Sequence, residues 1–334
     1  MADNGNTDVD ALLGKVRGAA SPLRATLREI HAKYKDLDEG AVANYIPELT
    51  RANPKWFGIA IVTVDGKTVE VGDSRELFTI QSLSKPFIWG LALEDNGRER
   101  VETKIGVEPT GDAFNSIVLD EATNRPFNPM VNAGAIAAAD LVKGKDISER
   151  VNRMLEMFRK YIGRTPQIDT AVYTSERTTG HRNRAIAHMM LNFGMVTEHV
   201  PDSLDFYFQQ CSVLIHCADL AMMGATLANG GVNPVSGERA LDAKYVRDLL
   251  SVMYTCGMYD YSGEWSYRVG LPAKSGVGGG IVAVVPGRFG IATFSPLLDA
   301  RGNSVRGIKA CEALVERFGL HVFESAGQRK EVTV

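Results

Sequence analysis

Strand-forming text occurs at two places far apart in this 334-residue chain: WFGIAIVTVDGKTVEVGD at 56–73 and GGIVAVVPGRFGIATFSP at 279–296. The first is an apolar run, an Asp65-Gly66 pair and a shorter alternating run. It predicts a β-hairpin in which Asp-Gly supplies the positive φ angles of a tight turn. The second is a pair of apolar runs meeting at Pro286-Gly287. Between them the text is mainly helical, with apolar spacing that predicts helices over 84–95, 132–143, 148–161, 183–192, 203–210, 217–229 and 242–255. A last helix is expected over 304–318. Strand pairs separated by so long a helical insertion share a sheet only when the two ends of the chain come together. The expected fold class is therefore α/β with a helical lobe: an antiparallel sheet from about 36–80 and 267–325, beside an all-helical lobe of about 81–266.

Ahead of this single domain, 36–325, the spacing of Leu12, Leu13, Val16, Leu23, Leu27, Ile30 and Tyr34 predicts a helical segment over 11–35, split in two by Pro22. Residues 1–10, polar and acidic, read as a disordered tail. They lack the charged-then-apolar layout of a secretory signal. No apolar run approaches the roughly 20 residues needed to cross a bilayer. A formal charge of −3 gives nucleic acid or an anionic membrane no reason to bind. The four cysteines, Cys211, Cys217, Cys256 and Cys311, form no CxxC pair, which points to reduced thiols and a cytoplasmic setting. No HExxH occurs and His181 and His188 have no ligand-like companions, so neither a metal nor any other cofactor is expected. The glycines of SGVGGG do not make a phosphate-binding loop, because Lys274 precedes them instead of following.

The chemistry concentrates in FTIQSLSKPFIWGLALEDNG, 78–97, where two serines and a lysine sit between apolar segments. Ser82 and Lys85 are three apart, so one helical or 3-10 turn places the ammonium near the hydroxyl, facing inward. A serine needs a base to become a nucleophile, and a lysine serves if desolvation lowers its pKa. The apolar helix that follows would bury the pair, with Pro86 in its first turn. The bland alternative is that Ser82 or Ser84 caps the helix and Lys85 is solvated. Ser84 is expected to keep that capping role. A second element, Lys274-Ser275-Gly276, precedes a strand, as the Lys-(Ser/Thr)-Gly element does in S-x-x-K acyl-transferases. Glu121 and Glu176 lie near motif-like loops, but spacing alone assigns them no role.

Eight strings then run in order along most of the chain, from about Tyr45 to Gly307. They are QSLSKPF, EPTGDAFNS, NPMVNAGAI, SERTTGHRNRAIA, DFYFQQCS, TLANGGVNPVSGER, CGMYDYSGEW and GLPAKSGVGGGI. Together they closely resemble the serine-dependent glutaminase family. The resemblance implies a β-lactamase/transpeptidase-like fold, hydrolysis of L-glutamine to L-glutamate and ammonia, and a homodimer or homotetramer. It implies Ser82 as nucleophile with Lys85 as its partner, and Asn132, Glu176, Asn183, Tyr207, Tyr259 and Val277 as substrate-binding positions, with Tyr45 near the substrate. Either Lys85 or Tyr259 is then the base, and the backbone N–H groups of Ser82 and Val277 are the oxyanion donors. Free glutamine is a zwitterion, so Glu176 suits its α-ammonium, while Asn132, Asn183 and Tyr207 supply hydrogen bonds. The competing expectations are a penicillin-interacting hydrolase of the same fold and a non-catalytic glutamine sensor.

Overall fold

The computed structural model describes residues 22–111, 116–324 and 332. The tail at 1–10 and the helix read upstream of Pro22 lie outside these residues. The described chain opens with helix α1 (Pro22–Tyr34), followed by strands β1 (Gly58–Thr63), β2 (Thr68–Gly72) and β3 (Phe78–Thr79). Helices α2 (Lys85–Asn96), α3 (Arg98–Glu102), α4 (Asn132–Leu141) and α5 (Ile147–Ile162) come next, then β4 (Gln167–Ile168). After them run α6 (Thr170–Thr179), α7 (His181–Asn192), α8 (Val200–Cys211), β5 (Val213–Ile215), α9 (Cys217–Ala228), α10 (Ala243–Cys256) and α11 (Ser262–Arg268). Strands β6 (Ala273–Ser275), β7 (Gly280–Val285) and β8 (Phe289–Phe294) and helix α12 (Val305–Phe318) close the order.

The main sheet has the order β2-β1-β8-β7-β6, and every neighbouring pair is antiparallel. The early hairpin and the late strands therefore meet at the β1–β8 seam, where Gly58 pairs with Phe294 and Thr63 with Phe289. The three central strands are buried along their whole length, which is why their sequences read as apolar runs and not as alternations. Side chains still alternate between two cores. Ala60, Val62, Val282, Val284, Ala292 and Phe294 join the larger core shared with the helical lobe. Ile59, Ile61, Ile281, Ala283, Val285 and Ile291 face the second core, with Leu23 and Leu27 of α1 and Leu314 of α12. Each fully buried Ile, Leu or Val contributes about 1.5–3 kcal/mol. Helix α9 lies across β1, β7 and β8 on the lobe side, and α1 and α12 pack together on the other.

Three local expectations are corrected. Of the Asp65-Gly66 pair only Gly66 has positive φ, at 83°. Its N–H donates to Thr63 O, and Thr63 N–H donates to Lys67 O, so the hairpin closes with a three-residue loop ending in a left-handed glycine. Ser84 does not cap α2: its hydroxyl donates back to Gln81 O at 2.7 Å and accepts from Gln210 Nε2 at 3.2 Å. Glu176, placed near a loop by the sequence reading, sits on α6, whose N-terminus is capped by Asp169 accepting from Ala171 and Val172 N–H groups.

A second, small sheet, β3-β5-β4, positions the site. Phe78 and Thr79 pair with Ile215 and Leu214, and Ile80 N–H adds a bond to Val213 O. The Phe78 ring stacks on Phe294 of the main sheet with centroids 4.2 Å apart. The segment entering the Ser82 turn is thus held by both the helical lobe and the main sheet.

Candidate active site

Ser82 lies in a 3-10 turn, Gln81–Ser84, that runs directly into α2. Gln81 enters the turn at φ 49°, a left-handed conformation that non-glycine residues hold only when their surroundings fix it. Here β3 fixes one side and the buried helix α2 the other. The β6–β7 loop packs onto the turn from above. A Cβ on Gly276 would meet Leu83 Cγ at 2.9 Å, and one on Gly280 would meet Leu83 Cδ1 at 2.6 Å. The glycines of KSGVGGG are therefore a close-approach surface against the serine turn, not a flexible hinge.

Above Ser82 opens a cavity of about 420 Å3. Seven of the nine residues expected at the site line it: Tyr45, Ser82, Asn132, Glu176, Asn183, Tyr207 and Val277. Tyr45, half exposed, stands at its mouth. Glu176, Thr179, Gly180 and Asn183 all face in. Their i, i+3, i+4, i+7 spacing shows one helical face continuing from α6 into α7 across Gly180. Tyr207 and Cys211, four apart on α8, also line it.

Lys85 and Tyr259 do not line this cavity; Tyr259 borders a separate one of about 320 Å3, with Met130 and Ser262. Lys85 is fully buried and faces inward, as its spacing implied. Its Nζ donates to Met130 O at 3.1 Å and to Asn132 Oδ1 at 2.8 Å. Burial pulls its pKa down to about 8, against the opposing pull of Cys211 and Glu176. Asn132, the first residue of α4, passes the contact on: its Nδ2 donates to Asn183 Oδ1 at 3.0 Å. The Tyr259 phenol stands close enough to Ser82 for that side chain to oppose the rise in its pKa, and its hydroxyl donates to Ser275 O at 3.1 Å. It too has positive φ, at 57°. Burial pushes its phenol well above the ordinary value.

Glu176 has its pKa raised to about 7 by burial, opposed by a hydrogen bond from Gln81 and by the charge of Lys85. The N–H groups of Ser82 and Val277 donate to no acceptor among the described residues, and both residues border the cavity. The sequence reading missed Gln81, Arg182 and Cys211, which also line it. Gln81 is buried, with Nε2 near Thr79 Oγ1 at 3.3 Å. Its adjacency to Ser82 and the helical spacing 207/211 were the available signals. Glu121 is exposed and takes no part.

The family model described as Glutaminase matches residues 40–323. A glutaminase of Trichormus variabilis is 64% identical over 304 residues, covering 91% of this chain and 91% of that protein. A glutaminase of Microcystis aeruginosa is 61% identical over 311 residues, covering 93% of this chain and 92% of the other. Among solved structures, a probable glutaminase superposes with a TM-score of 0.88 at 43% identity, over 91% of this chain and 98% of that one. Mglu in its glutamate form does so at 0.88 and 41%, over 92% of this chain and 69% of that one. With matches of this extent to sequence and structure alike, the chain belongs to the glutaminase family.

Proposed function

We propose that this enzyme hydrolyses L-glutamine to L-glutamate and ammonia through a γ-glutamyl ester on Ser82. The observation that carries the mechanism is the Lys85 amine, fully buried one turn from Ser82 with its pKa drawn to about 8. Near neutral pH part of it is a free base. A neutral amine has two N–H groups, and Met130 O and Asn132 Oδ1 account for two donations. In the neutral form the amine lone pair is the proton acceptor that this reading assigns to Ser82. Tyr259 is the weaker candidate for base, because its phenol is pushed up and its one proton goes to Ser275 O. Its phenol stands beside Ser82 and helps fix where Oγ lies.

Glutamine enters with its α-ammonium at Glu176 and its α-carboxylate toward the remaining N–H groups of Asn132 and Asn183 and toward Tyr207. Tyr45 flanks the mouth. Ser82 Oγ attacks the side-chain amide carbon as its proton passes to Lys85. The oxyanion forms against the N–H groups of Ser82 and Val277, each worth roughly 3–4 kcal/mol in such a site. Collapse breaks the C–N bond, Lys85 returns the proton to nitrogen, and ammonia leaves. Water then attacks the ester, gives a proton to Lys85, and glutamate departs as the proton returns to Ser82 Oγ.

Coupled detection of glutamate and ammonia from L-glutamine, run beside L-asparagine, tests the reaction. Ser82→Ala should lower turnover by at least about 10⁴-fold with the fold unchanged by circular dichroism; retained turnover overturns the nucleophile. A homodimer or homotetramer is the assembly we propose on the resemblance, read by light scattering. Four buried, unpaired cysteines support a reducing, cytoplasmic setting.

A further inference from the structure

Lys274, the first residue of the Lys-Ser-Gly element, has no place in the mechanism above. It lines no part of the substrate cavity. It is nonetheless a fully buried amine in the middle of the enzyme, on β6. Among the described residues no carboxylate lies within ion-pair distance of it. Burying an amine without a counter-ion is costly, so its two hydrogen bonds must hold something of use. Nζ donates to Gly257 O at 3.0 Å and to Ser275 O at 2.6 Å, and it stands 4.2 Å over the centre of the Tyr259 ring.

Those three partners are one assembly. Gly257 precedes Tyr259 by two residues, and its carbonyl also accepts from Ser275 N–H at 3.1 Å. Ser275 O is the acceptor for the Tyr259 hydroxyl. The Ser275 side-chain hydroxyl has no partner among the described residues. Lys274 therefore ties together the backbone that leads into Tyr259, the ring face and the carbonyl that orients the phenolic proton. Tyr259 has positive φ, and such a conformation persists only where its surroundings over-determine it.

We propose that Lys274 is a positioning residue: it clamps Tyr259 so that the phenolic proton stays on Ser275 O and the phenol is held beside Ser82. This rests on the reading that Tyr259 holds Ser82 for attack. Tyr259→Phe isolates that reading. It should lower kcat about 10–100-fold, and wild-type turnover in this variant would remove the role of Tyr259 itself, whatever Lys274 does.

Lys274→Met, of similar length and apolar, tests the clamp. With no cavity contact to lose, KM for glutamine should change less than about 3-fold while kcat falls about 10–100-fold. In the Tyr259→Phe background the same change should cost less than about 3-fold, since both substitutions disable one unit. Lys274→Gln, which keeps an N–H donor for Ser275 O, should recover part of the lost kcat. It also replaces Met in the cycle if the Met variant unfolds. Three outcomes overturn the clamp: losses that add in the double variant, a KM that rises as much as kcat falls, or a Lys274→Met enzyme as fast as wild type when Tyr259→Phe is slow.

Discussion

Two turns in this enzyme join apolar segments, and they are built in opposite ways. Between β7 and β8 the chain reverses at Pro286-Gly287, where Gly287 takes φ 72° and a Cβ would meet nothing within 4 Å. Between β3 and α2 it turns through Gln81, Ser82 and Ser84, which are all buried, with Gln81 at φ 49°. The first uses glycine in open space, where left-handed backbone costs little. The second spends about 1–3 kcal/mol on a strained glutamine and buries polar groups besides. Tyr259, another of the three non-glycine residues at positive φ among the described residues, stands beside Ser82. Strain and buried polarity gather where they hold Ser82, and the hairpin turn shows what the same chain does when only a reversal is required.

If that contrast is right, substitutions around Ser82 should alter chemistry more than stability, and those at the hairpin the reverse. After Ser82→Ala, the largest effect is expected from Glu176→Gln, which should raise KM for glutamine about 100-fold with a smaller change in kcat, by removing the partner of a charged group. The pH dependence sharpens this. As the proposed base, Lys85 must lose a proton to act, so kcat/KM should fall about tenfold per unit below its pKa of about 8. Glu176 must be ionised to hold an ammonium, so the fall should steepen below about 7. In Glu176→Gln the second bend should vanish; its persistence would assign it elsewhere.

Gln81→Asn comes next in size. Asparagine tolerates left-handed backbone better but is one methylene too short to reach Glu176. The expected result is roughly a tenfold lower kcat/KM with the melting temperature unchanged or slightly raised. A loss of stability with full activity would reverse the contrast. Gly287→Ala is the smallest: about 1 kcal/mol less stable in urea unfolding, because alanine is strained at that φ, and no change in turnover.

Much of this architecture was legible because it repeats. The apolar runs at 279–296 and 217–229 and the helical spacing at 148–161 reflect burial over many residues, so a signal accumulates along each. Strands β3, β4 and β5, of two or three residues each, are too short to show any period. Helix α6 was missed because TAVYTSERTT is rich in threonine, a weak helix former, and has few apolar positions. At the site, residue types and their order were readable, and so was the inward-facing Lys85. The bond from Gln81 to Glu176, the chain Lys85–Asn132–Asn183 and the left-handed Tyr259 were not, since each depends on segments brought together by the fold.

The β1–β8 seam joins residues roughly 230 apart in sequence, so the pairing is non-local and cannot form until the last strands have been made. On a ribosome, Ser82 and Lys85 emerge while Tyr259, Val277 and β8 are still unmade. A nascent chain thus carries the proposed nucleophile without the residues proposed to aim and stabilise its attack. Hydrolytic power arrives in one step, when the late strands dock beside β1, and a chain cut short before β8 should be inert despite containing both Ser82 and Lys85.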